Sequence, residues 1–470
     1  MTDPGWISIL PPVLAIVLAV WTRQVYLSLA GGLVLGWTIL EGWNPLKGVA
    51  AAIDAVVNVF QSPGDTRAIL FTLVIGAVIA TIEASGGVRG FVDWLEQRRW
   101  VNSAKRAQLL AWATGVVVFI ESNITVLVAG SVARPLCDRY KCSREKLAYI
   151  IDSTSAPICI LIPMNAWGAY NLGILEGLGV QNALTVFLEA VLMNFYAIIA
   201  VLLTLFVILT DWNFGPMGKA EERTRRGELL WPDATPMIDE EVLSPPPNPK
   251  LKPRALNMFL PIVSMVLFMP VGLYITGGGD IMAGSGSTSV LWSVLVALGV
   301  AWILLLAQRA YDQDELVRIG LKGAGGLIPL ALILLLAIAL GNVAEELGTG
   351  AYVARVTSGV LPPFLFLPVV FLVAAGIAFS TGTSWGTFAI MLPIAVPAAQ
   401  SLGLPLAPFV AASLAGGVFG DHCSPISDTT IISSMAAATD HIDHVRTQLP
   451  YALLGGTLAT ICFMILGATL

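Results

Sequence analysis

Apolar residues follow one another in blocks that recur from one end of the chain to the other. Each block is close to the ~20 residues that a helix needs to cross about 30 Å of hydrocarbon. Polar residues are concentrated between the blocks. The pattern predicts an all-α polytopic membrane protein. The predicted spans cover residues 6–21, 26–40, 68–83, 147–170, 184–210, 256–275, 290–307, 327–345, 407–434 and 451–466.

Two further apolar stretches, at about 108–133 and 362–396, do not fit a simple crossing. Small polar residues interrupt each of them near its middle, at 119–125 and 380–387. Backbone that is not helical is tolerated at membrane depth only where it lines protein or a water-filled cavity. Each stretch is therefore predicted to be a re-entrant hairpin, in which two half-helices meet at a tip inside the protein.

Composition and charge agree with a membrane protein and add an orientation. Charged residues make up 12% of the 470-residue chain and mean hydropathy is +0.80, whereas soluble chains carry about 25% charged residues. An outside N-terminus places all 25 Lys and Arg residues except Lys47, Arg67 and Arg355 on the cytoplasmic side, as the positive-inside rule requires. We expect a multi-pass protein of the cell inner membrane with both termini outside. The first span is expected to be retained, because no basic region or cleavage site accompanies it.

The two halves of the sequence resemble each other. A shift of 262 positions aligns Pro135 with Pro397 and Pro163 with Pro425. Five spans in the first half would make the second half enter the membrane in the opposite direction, which is the architecture of many secondary transporters. We predict two inverted-topology repeats at 1–210 and 255–470, each with five transmembrane helices plus one re-entrant hairpin. The polar, proline-rich segment 211–254 is predicted to be a cytoplasmic linker that is partly disordered.

Small hydroxyl and amide residues gather at the two tips and at breaks in the spans that follow them. Unwound helix ends expose carbonyl oxygens that can coordinate a cation, and neighbouring side chains can complete such a site. The candidates for coordinating an ion or a substrate are Ser122, Asn123, Ser153, Thr154, Ser155, Asn165, Thr381, Thr383, Ser384, Ser424 and Ser427.

Four carboxylates fall at membrane depth, where an ionisable group is costly and is therefore a candidate functional residue. They are Glu121, Asp152, Asp421 and Asp428. A carboxylate that binds Na⁺ when ionised and a proton when neutral makes the two ions compete, which is the simplest basis for exchange. We expect Na⁺ to bind at these residues. His422 is expected either to shuttle protons or to donate a structural hydrogen bond.

Other interpretations remain open for some of these positions. Asp152 follows a basic loop closely, so an ion pair with Lys146 or Arg144 is an alternative to ion binding. His441 and His444 are placed in a cytoplasmic loop, where a solvated surface is expected rather than a metal site.

One motif points to an enzyme and is set aside. Residues 382–386 (GTSWG) match the G-x-S-x-G nucleophile elbow, but that motif requires a strand–turn–helix setting and here forms the tip of an apolar hairpin. No enzymatic activity and no cofactor are expected. Trp167 and Trp385 lie near the breaks and could line a solute pocket or simply pack.

The segments 134–138 (RPLCD), 143–157 (SREKLAYIIDSTSAP), 165–168 (NAWG), 382–386 and 420–430 (GDHCSPISDTT) resemble the NhaC family of Na⁺/H⁺ antiporters, within the wider ion-transporter superfamily. The resemblance implies antiport of Na⁺ against H⁺ by alternating access, and superfamily relatives often form homodimers. Family members also exchange organic acids. An acidic pair is expected at the first tip of ion-exchanging members, where this chain has Glu121-Ser122-Asn123. The alternative is therefore a Na⁺-coupled transporter or exchanger of an organic anion or amino acid. The expected partners are the lipid bilayer, a small ion or solute and a second copy of the chain, and no nucleic acid is expected.

Overall fold

The structure is a computed structural model that describes residues 5–22, 24–87, 89–91, 101–119, 121–163, 165–236, 252–280, 284–350, 352, 355 and 362–470. These residues form helices joined by short connections, with no strand among them. The helices up to the linker are α1 (Leu10–Thr22), α2 (Val25–Leu40), α3 (Pro45–Asn58), α4 (Pro63–Ala84), α5 (Ala104–Val117), α6 (Ser122–Arg139), α7 (Arg144–Ser153), α8 (Ala156–Leu161), α9 (Ala166–Gly177), α10 (Ala183–Leu192), α11 (Phe195–Thr210) and α12 (Pro216–Arg225). The later helices are α13 (Leu256–Thr276), α14 (Gly286–Ala307), α15 (Gln313–Gly326), α16 (Ile328–Glu346), α17 (Phe366–Thr381), α18 (Ser384–Leu402), α19 (Leu406–Cys423), α20 (Asp428–Ala437) and α21 (His441–Gly467).

The chain is a multi-pass membrane protein. In the described part of the chain, seven helices are long and apolar enough to cross a membrane, or up to nine if each of two bent helix pairs is one span. Apolar side chains along such helices stay exposed, for example Leu260, Leu267 and Val271 on α13. An exposed apolar surface of this extent suits contact with lipid.

The span boundaries differ from the ten that the sequence predicts. The predicted span 147–170 is divided among α7, α8 and α9, and the predicted span 407–434 is divided between α19 and α20. Conversely, α18 qualifies as a full span by length and composition, although it was predicted as half of a hairpin. Proline residues explain the divisions, because Pro157 has no N–H to continue α7 and Pro425 lies in the gap between α19 and α20.

Helix boundaries repeat along the chain with the spacing of the sequence repeat. The helices α5, α6, α7 and α9 begin at Ala104, Ser122, Arg144 and Ala166. Their counterparts α17, α18, α19 and α20 begin 262 residues later in every case. The recurrence of four helix starts supports an internal repeat of the chain.

Two amphipathic helices, α3 and α15, were not predicted. Each has 14 residues, so neither contains an apolar run long enough to be recognised as a span. One face of α3 exposes apolar side chains, including Leu46, Ile53 and Val57. The chain bends by 119° between α2 and the segment that contains α3.

The first part of the linker is helical, and the partial disorder expected of the linker stays a prediction. Helix α12 packs against α7 and α21. The Arg223 guanidinium donates to both carboxylate oxygens of Glu145 at 2.8 and 3.0 Å. Ser143 donates its backbone N–H (2.8 Å) and its hydroxyl (2.6 Å) to Glu221. These charged side chains are ordered because they find buried partners, which the linker sequence alone does not show. Residues 237–251 lie outside the described part.

Candidate functional site

The first break separates α7 from α8. Helix α7 ends at Ser153, and Thr154 and Ser155 lie between the two helices. The hydroxyls of Thr154 and Ser155 each donate, at 2.8 Å, to a backbone carbonyl of the preceding turn. Pro157 in the first turn of α8 cannot donate a backbone hydrogen bond, so the α-helical pattern starts afresh there.

Asn165 connects the first tip to this broken region. Its side-chain oxygen caps α9 by accepting the N–H of Gly168 at 3.0 Å. Its amide nitrogen donates to the carbonyls of Phe119 at 3.0 Å and Cys159 at 2.8 Å. The predicted coordinating residue thus bridges the tip, the end of α8 and the start of α9.

The second break lies between α19 and α20 and has matching contacts. Ser427 caps α20 by accepting the N–H of Thr430 at 3.4 Å. Ser424 donates to the carbonyl of Phe379 near the second tip at 2.7 Å. Asp428 opens α20, where the helix dipole favours a negative charge. In both halves, therefore, a tip carbonyl accepts a hydrogen bond from the break that follows it.

Glu121 and Ser122 lie at the first tip, where α6 begins. The Ser122 hydroxyl donates to the Glu121 carboxylate at 3.0 Å, and Thr125 donates to the Glu121 carbonyl at 2.9 Å. Asn123 belongs to α6, but its side chain lies outside the described part. Among the described side chains, no hydrogen bond links Glu121 to the three candidate aspartates.

The second tip brings a hydroxyl to a carboxylate. Helix α17 ends at Thr381, Gly382 adopts φ +69°, and α18 begins at Ser384. The Ser384 hydroxyl donates to Oδ2 of Asp421 at 2.6 Å. Thr381 instead donates to a carbonyl of its own helix at 2.9 Å, and the backbone carbonyl of Thr383 accepts a bond inside α18. At the second tip, the Ser384 hydroxyl is thus bound to a candidate carboxylate, as the Ser122 hydroxyl is at the first tip.

Three of the four predicted carboxylates come together at the two breaks. Asp152, Asp421 and Asp428 lie close enough to interact electrostatically. Asp152 and Asp421 are only 1% and 2% exposed, whereas Asp428 is exposed. Among the described residues, no Lys or Arg forms an ion pair with any of the three. The site therefore concentrates carboxyl groups that are not paired with a Lys or Arg of the described residues.

The alternative role for Asp152 as the partner of a basic loop residue is wrong. Lys146 pairs with Asp211 and Arg144 pairs with Asp138, each at 2.9 Å. Because both basic side chains are engaged elsewhere, Asp152 is free of the cationic partner that would have given it a purely structural role.

The oxygens of Asp152 have unequal surroundings. Oδ2 accepts hydrogen bonds from Thr430 at 3.1 Å and Gln448 at 2.7 Å. The Nε2 atoms of His422 and His444 each lie 3.9 Å from the same oxygen. Oδ1 of Asp152 and Oδ1 of Asp421 are buried without a hydrogen-bond partner among the described residues. A buried carboxylate oxygen in this state is costly, and a cation or a proton would satisfy it.

His422 joins the two halves through both of its ring nitrogens. Nδ1 lies 2.6 Å from the hydroxyl of Tyr196, and Nε2 lies 3.2 Å from the hydroxyl of Ser153. Its backbone carbonyl also accepts from Gln448 at 2.7 Å. His422 is therefore held firmly, in agreement with a structural hydrogen-bonding role and compatible with proton transfer.

Sequence reasoning missed Tyr196, His444 and Gln448. The prediction that His444 belongs to a solvated loop is wrong, because His444 is buried in α21 and bonded to Gln448 at 2.8 Å. A signal was present: His441, His444 and Gln448 are spaced by three and four residues, which places them on one face of a helix. No group of three or more His, Cys, Asp or Glu side chains in the described ranges is arranged to hold a resident metal ion.

Trp167 and Trp385 pack against each other beside the breaks. Their ring centroids lie 4.7 Å apart, and Phe388 adds an edge contact to Trp167 at 5.9 Å. Tyr170 donates to the carbonyl of Trp385 at 3.1 Å. The indole N–H of Trp167 is buried and has no hydrogen-bond partner among the described residues.

Several curated proteins are similar to the chain. An uncharacterised protein of Haemophilus influenzae is 35% identical and covers 98% of the chain and 91% of its own length. The arginine/ornithine antiporter ArcD of Halobacterium salinarum is 28% identical over 47% of the chain and 43% of its own length. The malate-2H⁺/Na⁺-lactate antiporter of Bacillus subtilis is 28% identical over 37% of the chain and 38% of its own length.

A solved structure shares the fold. The YdaH transporter of Alcanivorax borkumensis superposes with a TM-score of 0.59 over 96% of the chain and 98% of its own length, at 13% identity. The sequence model of the Na⁺/H⁺ antiporter family matches residues 158–468, which include α19, α20 and α21 with the second break. The relatives whose activity is named are transporters, so the G-x-S-x-G match does not mark an enzyme. The chain belongs to the Na⁺/H⁺ antiporter family.

Proposed function

We propose that the protein exchanges Na⁺ for protons by alternating access and that the site lies where the two breaks meet. One observation carries the proposal. Asp152, Asp421 and Asp428 meet there without a Lys or Arg partner among the described residues, and two of their oxygens are buried without a hydrogen bond. Two of the three carboxylates, Asp152 and Asp421, are buried, and they cannot both remain ionised beside Asp428 unless a cation or protons compensate them.

The Na⁺ ion is assigned to Asp421 and Asp428. Sodium, like other hard cations, takes oxygen ligands. Further oxygens come from the Ser384 hydroxyl, which is bonded to Asp421, and from the unwound backbone between α19 and α20. Asp428 is exposed while Asp421 is buried. An ion therefore meets Asp428 first and Asp421 second.

The proton is assigned to Asp152, whose neighbours are hydrogen-bonding groups and two histidines. Like charges several ångströms apart repel by about 2–4 kcal/mol at an effective dielectric near 20. A proton on Asp152 therefore weakens Na⁺ binding at Asp421 and Asp428, and bound Na⁺ favours release of the proton. Because this coupling is reciprocal, the two ions compete for the site.

In this proposal the protein consists of two inverted repeats, one before and one after the linker, and each repeat contains a re-entrant hairpin. The repeated helix starts and the matched tip contacts support the repeat, and the distribution of Lys and Arg supports opposite orientation of the halves with both termini outside. The inner membrane of the cell is the assigned location, and a homodimer is the assigned assembly by analogy with superfamily relatives.

Flux in proteoliposomes tests the proposal. Adding Na⁺ outside vesicles that contain the protein and a pH-sensitive dye should drive proton efflux, and Asp421→Asn should abolish it. Asp54→Asn is the matched control, because it replaces a carboxylate by an amide in the same way but on the exposed surface of α3. The absence of Na⁺-dependent proton flux in the unmodified protein would refute the proposal.

Na⁺-coupled exchange of an organic anion or amino acid is the second candidate. The unpaired indole N–H of Trp167 is one hydrogen-bond donor available to a solute, and two relatives are described as exchangers of amino acids or organic acids. Thermal stabilisation by arginine, ornithine, malate or lactate that depends on Na⁺ would favour this function. Stabilisation by Na⁺ alone, with no effect of these solutes, would exclude it for them.

A further inference from the structure

A chain of hydrogen bonds leads to Asp152 through two histidines that the exchange mechanism above does not use. His441, in the first turn of α21, is partly exposed. Its Nδ1 lies 3.0 Å from the Ser434 hydroxyl, which lies 2.9 Å from Nδ1 of His444. Nε2 of His444 lies 3.9 Å from Oδ2 of Asp152. The chain thus joins a partly exposed ring to a buried carboxylate.

The contacts of Gln448 determine which nitrogen of His444 carries hydrogen. The Gln448 amide nitrogen lies 2.7 Å from Oδ2 of Asp152 and 2.7 Å from the carbonyl of His422, and both of these atoms accept hydrogen bonds. The Gln448 side-chain oxygen therefore faces Nε2 of His444, at 2.8 Å. Because an amide oxygen can only accept, Nε2 of His444 must be the donor.

The hydrogen on the His441 ring can be placed by the same reasoning. Its Nε2 lies 2.6 Å from the carbonyl oxygen of Pro425, so this nitrogen also must donate. A neutral imidazole carries one hydrogen, which leaves Nδ1 of both histidines bare. Both bare nitrogens face the Ser434 hydroxyl, which has a single hydrogen to give and also lies 2.8 Å from a third acceptor, the carbonyl oxygen of Thr430 in its own helix. With both rings neutral, one Nδ1 is left without a donor.

One additional proton completes the network. If His441 is protonated, its Nδ1–H donates to the Ser434 oxygen, and the Ser434 hydrogen turns from the Thr430 carbonyl to donate to Nδ1 of His444. Every polar atom of the two rings then has a partner. We propose that His441, Ser434 and His444 form a proton-binding relay that delivers protons to Asp152. This inference rests on the proposed function, in which Asp152 exchanges a proton.

The relay conserves protons at each step. His441 takes one proton from solvent and then carries hydrogen on both nitrogens. Its Nδ1 proton moves to the Ser434 oxygen while the Ser434 hydrogen moves to Nδ1 of His444. His444 then carries two hydrogens and releases the one on Nε2 to Asp152, after the Gln448 side chain moves aside. Both rings end neutral, and one proton has passed from solvent to the carboxylate. His444 now carries its hydrogen on Nδ1, so that hydrogen must return to Nε2, which faces the Gln448 oxygen, before a second proton can pass.

Neighbouring charges favour a proton at this place. The negative groups are Asp152, Asp440 and Asp443, and Arg446 is the nearby cation on α21 itself. Arg144 of α7 donates to the carbonyl of Ala438 at 2.9 Å, and its charge is paired with Asp138. Glu145 and Arg223, from α7 and α12, neutralise each other. His422 faces the relay from α19. Of the other helices that pack against α21, α11 and α17 contain no charged residue, and α20 contains only Asp428.

The test uses a neighbouring serine as its control. Ser433 and Ser434 are both buried on α20, but the Ser433 hydroxyl has no hydrogen-bond partner among the described residues. The variants are Ser434→Ala, Ser434→Thr, His441→Gln and Ser433→Ala, in full-length protein in proteoliposomes. Na⁺-driven proton flux is measured from pH 6 to 9, and exchange of labelled Na⁺ for Na⁺ is measured in parallel as a readout of the sodium site.

We expect Ser434→Ala and His441→Gln to slow proton flux at least tenfold while Na⁺/Na⁺ exchange stays within twofold of the unmodified protein. Ser434→Thr keeps a hydroxyl and should retain most of the flux, and Ser433→Ala should match the unmodified protein. Equal flux in Ser434→Ala, His441→Gln and Ser433→Ala would overturn the relay and leave the proposed function standing. A parallel loss of Na⁺/Na⁺ exchange would show a structural role and also overturn it. Absence of proton flux in the unmodified protein would overturn both proposals.

Discussion

The linker helix α12 is held on α7 by an ion pair that is almost completely buried. The side chains of Arg223 and Glu145 are 4% and 0% exposed, and the two N–H···O bonds measure 2.8 and 3.0 Å. Arg223 also donates to the carbonyl of Leu229 at 2.9 Å and lies 4.6 Å from the ring of Trp231. Arg223→Met keeps much of the side-chain volume but leaves the Glu145 carboxylate buried and uncompensated.

Removing one partner of a buried ion pair costs about 3–5 kcal/mol. Each 1.4 kcal/mol changes an equilibrium tenfold, so the population in which α12 is detached should rise by at least about a hundredfold. Hydrogen–deuterium exchange of the α12 amides measures this population directly. Protection of α12 should fall about a hundredfold or disappear, while protection of the apolar helix α4 should stay unchanged.

Arg226→Met is the matched control, because Arg226 lies on the same helix and pairs with Glu222 at the surface, where their side chains are 70% and 64% exposed. Exposed pairs contribute about 0–1 kcal/mol, so protection should change by less than about fivefold. The double variant Glu145→Gln with Arg223→Met removes both charges and should recover part of the protection. Equal exchange in Arg223→Met and Arg226→Met would refute the reasoning.

Two further predictions concern packing and pH. A Cβ added at Gly115 would overlap the side chain of Thr154 in the first break. Gly115→Ala should therefore destabilise the protein by about 1–3 kcal/mol, which lowers the melting temperature, and should reduce transport. The control is Gly299→Ala, whose added Cβ meets no atom within 4 Å and which should be neutral or stabilising. Burial raises the pKa of Asp211, but hydrogen bonds from Lys146 and Asn213 and the charges of Lys146 and Arg225 outweigh it, so the pKa of Asp211 lies below its ordinary value. The stabilisation that ionised Asp211 provides is present above about pH 4 and is lost as pH falls through the lowered pKa. The melting temperature of the unmodified protein should therefore exceed that of Asp211→Asn by less at pH 3 than at pH 6. An equal difference at both pH values would contradict the lowered pKa of Asp211.

Local sequence signals predicted the parts of the site that interrupt helices. Asp152, Asp421 and Ser384 are recognisable because small polar and proline residues stand out within an apolar background. The internal repeat is predicted because the prolines of the two halves keep a constant spacing. Both signals are properties of short windows or of a single shift, so one sequence is sufficient to find them.

Partners that approach from distant parts of the chain gave no such signal. Gln448 reaches Asp152 from 296 residues away, and Tyr196 reaches His422 from 226 residues away. Each of these residues lies in a regular helix, where one polar side chain resembles any other. The docking of α12 was missed for the same reason, since Glu221 and Arg223 look like solvated charges until Ser143 and Glu145 are placed against them.

The bonds at the candidate site constrain how the proposed alternating access can occur. Thr430 and Gln448 bind Asp152, and Ser153 and Tyr196 bind His422. Each of these four bonds joins the first half of the chain to the second. A movement of one half against the other would break all four, and each buried group left unsatisfied costs about 1–3 kcal/mol. A movement that carries both breaks together would break none of them. We therefore expect the two broken regions to move as one body, with the ion site inside that body and the relay carried along on α20 and α21.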